Sequence, residues 1–166
     1  MKRGRDMQGL LFEIKNEYGK QLSDILTEIV NPSWYWSIGP GESYKPGGLY
    51  KKERDPKMLE VLFPSNAMDG EAFLKLISTG EYYLIFADLK AFPTSESVVE
   101  INSYEDFLKS SCQLALLVID SVYVSIVLKE QQMIDKLLEC VEAIGYSNIK
   151  FLTDENETDS LFSVWG

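Results

Sequence analysis

The chain lacks histidine altogether: none of its 166 residues is a His. Histidine is the commonest metal ligand and the side chain best suited to acid–base work near neutral pH. Its absence excludes Ser-His-Asp and Cys-His catalysis and His-ligated zinc within one chain. The remaining carboxylates, lysines, tyrosines, hydroxyls and thiols form no recognised catalytic motif. We therefore assign no catalytic residue and predict no cofactor.

Cysteine and long apolar runs are scarce as well. Cys112 and Cys140 form no CxxC pair, which excludes a zinc knuckle and a thioredoxin-like motif. Two unpaired thiols are typical of a reducing compartment. The longest apolar run, Leu114–Ile119, is too short to span a bilayer, and no signal-peptide core follows the basic start of the chain. These features predict a cytoplasmic protein without a membrane partner.

Positive charge is scarce in the second half of the chain. The net charge is -10 at pH 7, and residues 84–166 carry 5 Lys/Arg against 14 Asp/Glu. A negative field repels the phosphates of nucleic acids and of anionic lipids. The same field attracts a basic protein, although acidity also serves solubility alone. The charge therefore predicts no nucleic-acid partner and favours a basic protein partner.

Apolar patterns predict most of the strands. Alternation predicts strands near 10–14 and 34–38, and the nearly continuous apolar run 82–87 predicts a central strand. Two β-prone runs, 113–119 and 122–128, are separated by Asp-Ser and predict a hairpin.

Weaker patterns predict further short elements. Strands are predicted at 98–101, at 149–152 and at 161–165, the last two flanking a polar turn over 154–159. The run Gly39-Pro40-Gly41 predicts a turn after the second strand.

Helical spacing of apolar residues predicts two or three amphipathic helices, within 22–29, 72–77 and 133–144. Asn16 and Asp69 are predicted N-caps of the first two. Hairpins mixed with helices favour one α+β domain over residues 1–166, with a mostly antiparallel sheet on which the helices pack. No linker long enough to divide the chain is visible.

The aromatic cluster Trp34-Tyr35-Trp36, with Tyr44 nearby, is the first candidate binding site. Alternation places Tyr35 on the opposite face of the strand from both tryptophans. Large aromatic side chains are good binding anchors. The alternative is ordinary packing in the core.

Asp88 and Lys90 form the second candidate site. Their spacing by two on a strand places both side chains on the same face. Such a pair can transfer protons when burial shifts its pKa values, and the alternative is a surface ion pair of little energetic weight. The acidic run 154–159 offers oxygen ligands but lacks the EF-hand pattern, so no metal site is predicted.

Several short motifs run through nearly the whole chain. They are Phe12-Glu13-Ile14 with Asn16, Tyr18 and Gly19, Trp34-Tyr35-Trp36, Glu42-Ser43-Tyr44, Met68-Asp69-Gly70, the run 85–91, Cys112-Gln113-Leu114, Thr153-Asp154-Glu155-Asn156 and Ser163-Val164-Trp165. Together they resemble a small, uncharacterised bacterial protein family, a domain of unknown function. The resemblance implies a bacterial cytoplasmic protein of one domain, and it implies no activity and no site residues.

Two hypotheses for function remain. The favoured one is a non-enzymatic, acidic interaction module that binds a basic protein. The alternative is a histidine-free enzyme or a small-molecule-binding protein whose aromatic-lined pocket includes Trp34, Tyr35, Trp36, Asp88 and Lys90. The sequence predicts neither the identity of a partner nor the oligomeric state.

Overall fold

A computed structural model describes residues 7–46, 59–153 and 155–162. The strands are β1 (Gly9–Glu13), β2 (Tyr35–Ile38), β3 (Glu42–Lys45), β4 (Glu60–Val61), β5 (Ala67–Asp69), β6 (Tyr83–Phe92), β7 (Leu114–Ile119), β8 (Tyr123–Leu128) and β9 (Ser147–Leu152). The α-helices are α1 (Gln21–Leu26), α2 (Gly70–Ser78), α3 (Tyr104–Lys109), α4 (Gln131–Ile144) and α5 (Glu155–Phe162). The predicted α+β class is confirmed. The described part holds five α-helices, of which α1, α2 and α4 match the three amphipathic segments predicted above.

The strands form one open sheet in the order β4-β3-β6-β7-β8-β1-β9, and β2 pairs with β6 beside β3 while β5 pairs with β2. Every pairing between these strands is antiparallel, as predicted. The β7–β8 hairpin is confirmed. Asp120 and Ser121 take φ of 53° and 65° at its tip, the left-handed backbone that a tight hairpin turn requires. Short polar residues tolerate that backbone in place of glycine.

One face of the sheet carries the larger core. Helices α1, α2 and α4 cover it, because each turns an apolar stripe toward the sheet, and Phe73 and Leu137 are examples of fully buried members. The predicted N-cap of α2 is confirmed, since the Asp69 carboxylate accepts the Ala72 N–H at 2.9 Å. The predicted cap of α1 is wrong: α1 begins at Gln21 with Lys20 at its N-cap position.

The opposite face of the sheet carries a smaller core under α3 and α5. Phe107 of α3 is fully buried there, and its ring packs on Phe162 of α5 at 5.8 Å between centroids. The turn predicted over 154–159 and the strand predicted at 161–165 are therefore wrong for their described residues, while 154 and 163–165 lie outside the described ranges. No strand forms at 98–101 either.

The turn predicted at Gly39-Pro40-Gly41 is also wrong, and the difference shapes the molecule. Ile38 lies opposite Leu89 and Tyr44 opposite Tyr83, so β2 and β3 run in the same direction along the single strand β6. Residues 39–41 belong to neither strand and form a bulge between them, although the Gly39 N–H still donates to the Asp88 carbonyl oxygen. Proline has no N–H to donate to a ladder, and a Cβ at Gly41 would approach the Phe86 carbonyl oxygen to 2.6 Å. The bulge therefore interrupts the sheet without reversing the chain.

Candidate functional site

A cleft opens where residues 39–41 leave the sheet. Its volume is about 500 Å³, and it is lined by residues 38–44, by 61 and 63–66, and by 86–89. Its three walls are thus the bulge, the segment that joins β4 to β5, and the middle of β6. Small-molecule sites typically have volumes of roughly 300–1,000 Å³, so this cleft has the size of a ligand site.

Asp88 reaches the cleft from β6. Lys90 Nζ donates to Asp88 Oδ1 at 2.8 Å, and the two side chains are only 17% and 15% exposed, respectively. The prediction that they share one face is confirmed, and the pair is largely buried rather than on the surface. Asp88 also lines a void of about 10 Å³ on the side of α5, which Lys90 and Phe162 line as well. Asp88 and Lys90 thus lie together on the face of β6 that α5 covers.

Gly39 lies directly against the Asp88 carboxylate. Its N–H donates to the Asp88 carbonyl oxygen at 2.8 Å. A Cβ at position 39 would come within 2.8 Å of Asp88 Oδ2, which is closer than carbon and oxygen pack without strain. A glycine here therefore lets the carboxylate lie beside the backbone of the bulge, at the wall of the cleft.

A second carboxylate, Glu42, is exposed at the start of β3. Glu42 is opposite Phe86 in the register of β3 and β6, and Tyr44 follows two residues along the same strand. The Tyr44 hydroxyl donates to Glu42 Oε2 at 3.4 Å. A third aromatic residue, Phe63, lines the cleft from the segment that joins β4 to β5, and its ring stacks on Phe73 of α2. The described lining thus combines two carboxylates with three aromatic side chains and contains no lysine or arginine.

The two tryptophans lie in the core. Trp36 is 0% exposed and Trp34 6%, and the Trp36 ring stacks on Phe73 at 3.9 Å with an interplanar angle of 11°. Tyr35 lies on the opposite face of β2, as alternation predicts, and is half-buried. Core packing accounts for both tryptophans, and none of these three residues lines the cleft. Their binding role stays a prediction, as do those of Tyr44, Asp88 and Lys90.

Both thiols are unpaired and poorly suited to nucleophilic attack. Cys112 is fully buried, and burial raises the pKa of its thiol to about 11. Burial also raises the pKa of Cys140, which donates to the Asp24 carbonyl oxygen at 3.3 Å. A protonated thiol is a weak nucleophile, so neither side chain offers covalent chemistry at neutral pH.

Two further kinds of site are not found in the described ranges. No three Cys, Asp or Glu side chains among residues 7–46, 59–153 and 155–162 are grouped so that they could hold a metal ion. In the same ranges, no helix combines the length and the apolar character that crossing a membrane requires.

Comparison with known proteins identifies the family: the chain belongs to the one described as "Protein of unknown function (DUF2691)", whose model matches residues 7–163. The resemblance to an uncharacterised bacterial family is thus confirmed. One similar protein is "Uncharacterized protein YncE" of Bacillus subtilis (strain 168), which is 38% identical over 159 residues, or 95% of this chain and 99% of that protein. No solved structure matches the chain significantly. Neither comparison names an activity, and the function of the chain is unknown.

Glu42, Phe63 and Phe86 are the cleft residues that the sequence reasoning missed. Glu42 and Phe86 lie within motifs that carried the family resemblance, but no local pattern brings them together. Glu42 and Phe86 lie opposite each other only because β3 pairs with β6 in one particular register.

Proposed function

We propose that this chain is a non-enzymatic binding protein whose cleft takes a small ligand with a cationic group. The observation that carries the proposal is the cleft of about 500 Å³, whose described lining holds Asp88 and Glu42 and no basic side chain. Sites for small ligands are typically apolar, with a few placed polar groups that orient the ligand. Two carboxylates among apolar walls therefore favour a positively charged group.

The net charge of the whole chain also favours a cationic ligand. The net charge of -10 attracts cations from solution. Lys90 offsets the charge of Asp88 through their ion pair at 2.8 Å. Glu42 has a hydroxyl neighbour in Tyr44, which donates to the carboxylate without neutralising it. The described lining of the cleft therefore includes carboxylates and no lysine or arginine.

The chemistry of the lining supports binding over catalysis. Covalent catalysis needs an activated nucleophile, and the serine hydroxyls of the described lining, Ser43 and Ser65, donate to the backbone carbonyl oxygens of Phe86 and Ala67 instead of to a base. A cytoplasmic location in a bacterium belongs to the same proposal, because two unpaired thiols suit a reducing compartment.

Matched pairs of small ions test the proposal. Isothermal titration calorimetry compares propylammonium with propionate at low and high salt, on the wild type and on two variants. Asp88→Asn removes a carboxylate from the cleft, and Glu105→Gln removes one from α3, where it pairs with Lys109. We expect propylammonium to bind and propionate not to bind. We expect Asp88→Asn to weaken binding about tenfold, or about 1.4 kcal/mol, and Glu105→Gln to leave it unchanged. Equal binding of both ions, or equal effects of both variants, would contradict the proposal.

A basic protein partner is the second candidate function. Asp24 of α1 and Glu28, which follows that helix, both lie close enough to Cys140 of α4 that their negative charges add to burial in raising its pKa. A basic surface docking there would associate faster at low salt. A tagged chain, used to capture partners from a bacterial lysate at low and high salt, should retain a basic protein only at low salt. Capture that does not respond to salt would count against this candidate.

A further inference from the structure

We infer that a row of four side chains on the sheet docks a proline-rich segment of a partner protein, and that this segment carries arginine. The row consists of Val61, Tyr44, Tyr83 and Tyr18, in the order in which they cross the sheet. Val61 and Tyr44 also line the cleft, but the other two are not among its described lining residues. The inference therefore concerns a second, neighbouring site and does not depend on the ligand proposed for the cleft.

Strand pairing places three of these side chains next to one another. Val61 lies opposite Tyr44 in the β3–β4 pair, and Tyr44 lies opposite Tyr83 in the β3–β6 pair. Directly opposite residues of antiparallel strands have their side chains on the same face, with Cβ atoms roughly 4.5–5.5 Å apart. Ser43 lies opposite Leu84 of the larger core. Since side chains alternate along a strand, the row lies on the other face, which carries the smaller core.

Tyr18 extends the row on the other side of β6. The backbone N–H and C=O of Tyr82 bond to Gly19, whereas the next residue, Tyr83, pairs with β3. Tyr18 is thereby placed beside Tyr83, and their two rings lie 5.4 Å apart between centroids at an interplanar angle of 36°. The row thus continues across four adjacent segments of the chain.

The row is accessible to a partner. Val61 is 59% exposed and Tyr18 is 44% exposed, and Tyr44 and Tyr83 between them are half-buried. Within the described ranges, neither of the two hydrophobic cores includes any of these four side chains. Contiguous exposed patches of this kind mark interaction sites, and tyrosine is enriched among the residues that dominate binding energy.

Hydroxyl contacts hold two of the rings in place. The Tyr44 hydroxyl donates to Glu42 Oε2 at 3.4 Å, and the Tyr83 hydroxyl donates to Asn16 Oδ1. A tyrosine has few side-chain torsions to fix, and a ring that is already held loses little further entropy when a ligand binds. The row is therefore a preorganised surface.

The distances along the row match those of a polyproline II helix. Neighbouring strands lie roughly 4.7–4.9 Å apart, so the first and the third of the gaps between the side chains of the row are roughly 9.6 Å apart. A polyproline II helix advances about 3.1 Å per residue, or about 9.3 Å for each turn of three residues. Prolines separated by two residues therefore fit the first and the third gap at once. Aromatic-lined grooves bind proline-rich segments in several kinds of domain.

Exposed carboxylates beside the row favour a segment with positive charge. Glu42 contacts Tyr44 near one end of the row, and Glu17 directly precedes Tyr18 at the other end. The net charge of the chain, -10, has the same sign. Arginine pairs with carboxylates and also stacks on aromatic faces. Arginine beside the prolines therefore complements both features of the row.

A synthetic peptide tests the inference: two Ala-Pro-Pro repeats between terminal arginine residues, with both ends of the peptide blocked. NMR titration of the full chain compares it with two matched peptides, one with alanine for every proline and one with glutamate for both arginines. We expect the proline peptide to bind about tenfold more tightly than the alanine peptide, because its extended helix is already formed. The glutamate peptide should bind more weakly at low salt, with a smaller difference at high salt.

Variants of the chain locate the binding surface. Tyr18→Ala removes the exposed ring at one end of the row and should weaken binding of the proline peptide about tenfold. Val61→Ala shortens the exposed side chain at the other end and should weaken binding to a smaller extent. Tyr123→Ala removes a similarly exposed ring outside the row, at the start of β8, and should leave binding unchanged. Thermal scans by circular dichroism check that each variant is folded.

Several results would overturn the inference. Equal binding of the proline and alanine peptides would exclude a polyproline II ligand, and failure of all three peptides to bind would exclude a docking surface of this kind. Equal effects of Tyr18→Ala and Tyr123→Ala would show that the peptide does not bind at the row. Tighter binding of cellopentaose than of the proline peptide would assign the row to a carbohydrate instead. Tyr18→Ala should leave propylammonium binding unchanged, so the two sites are tested separately.

Discussion

The ion pair of Asp88 and Lys90 should stabilise the fold far more than an exposed pair does. Its two charged atoms are 2.8 Å apart and its side chains are 15% and 17% exposed. Hydrogen bonds to charged groups in such surroundings contribute about 1.5–3 kcal/mol to the free energy of unfolding. We expect that range as the coupling free energy in a double-mutant cycle built from Asp88→Asn, Lys90→Met and the double variant. Methionine keeps the apolar stem that lies near Phe162.

A second pair in the same chain serves as the internal control. Lys109 and Glu105 of α3 are 3.0 Å apart at i,i+4 spacing, but both side chains are 75% exposed. Pairs of this kind contribute about 0.2–0.5 kcal/mol. Urea unfolding followed by circular dichroism gives both coupling energies, provided that the m-values of the variants agree. A coupling for Asp88 and Lys90 that is no larger than that of the control pair would refute the reasoning from burial.

Other predictions concern the core, the bulge and the thiols. Phe73→Ala removes a fully buried ring and should cost about 3–5 kcal/mol, which lowers the melting temperature in a thermal scan by roughly 6–20 °C. Gly39→Ala brings a Cβ to 2.8 Å from Asp88 Oδ2. It should abolish propylammonium binding in calorimetry, yet lower the free energy of unfolding by less than about 1.5 kcal/mol. Unchanged binding would contradict the described cleft. Both Cys112 and Cys140 should resist iodoacetamide at pH 8 until urea unfolds the chain. Burial raises the pKa of the Cys112 thiol from 9.0 to about 11. The contribution of this thiol to the free energy of unfolding is therefore complete below pH 9.0 and is lost as the pH rises toward 11. Over that interval the urea midpoint of Cys112→Ser should fall less than the midpoint of the wild type.

The pairing of Asp88 with Lys90 could be predicted because it depends on local geometry alone. Side chains two residues apart on a strand share a face whatever the strand pairs with. The burial of Trp34 and Trp36 on one side of β2 followed the same rule, although the sequence left open whether another element covers that side. The helix α2 supplies the cover through Phe73, and no pattern within 34–38 contains that information.

The cleft could not be predicted because it depends on distant pairing. Gly39-Pro40-Gly41 has the composition of a turn, and turn residues also suit a bulge. The chain forms a bulge here and not a turn because β6 is long enough to pair with both β2 and β3. Glu42 and Phe86 became neighbours as a result, although 43 residues separate Phe86 from Ser43, which donates to its carbonyl oxygen.

The error at α5 has a similar cause. Leu161 and Phe162 suggested a short strand, and the polar residues before them suggested a turn. The helix α5 covers the second face of the sheet and packs the side chains of Leu161 and Phe162 against the smaller core. The Asp159 carboxylate accepts the Tyr104 N–H at 2.7 Å, so this helix is also held by a contact that sequence order does not reveal. Tertiary packing thus outweighed weak local preference.

The position of β1 has a consequence for the synthesis of the chain. Leu10 has Ile126 beside it on one side and Phe151 on the other, so β1 leaves the ribosome well before either of the strands with which it pairs is made. At roughly 5–20 residues per second, the segment with Leu10 and Phe12 waits on the order of ten seconds with both of its backbone edges unpaired. During that time it is a target for chaperones and for association with other nascent chains. The sheet closes only when translation has passed β9.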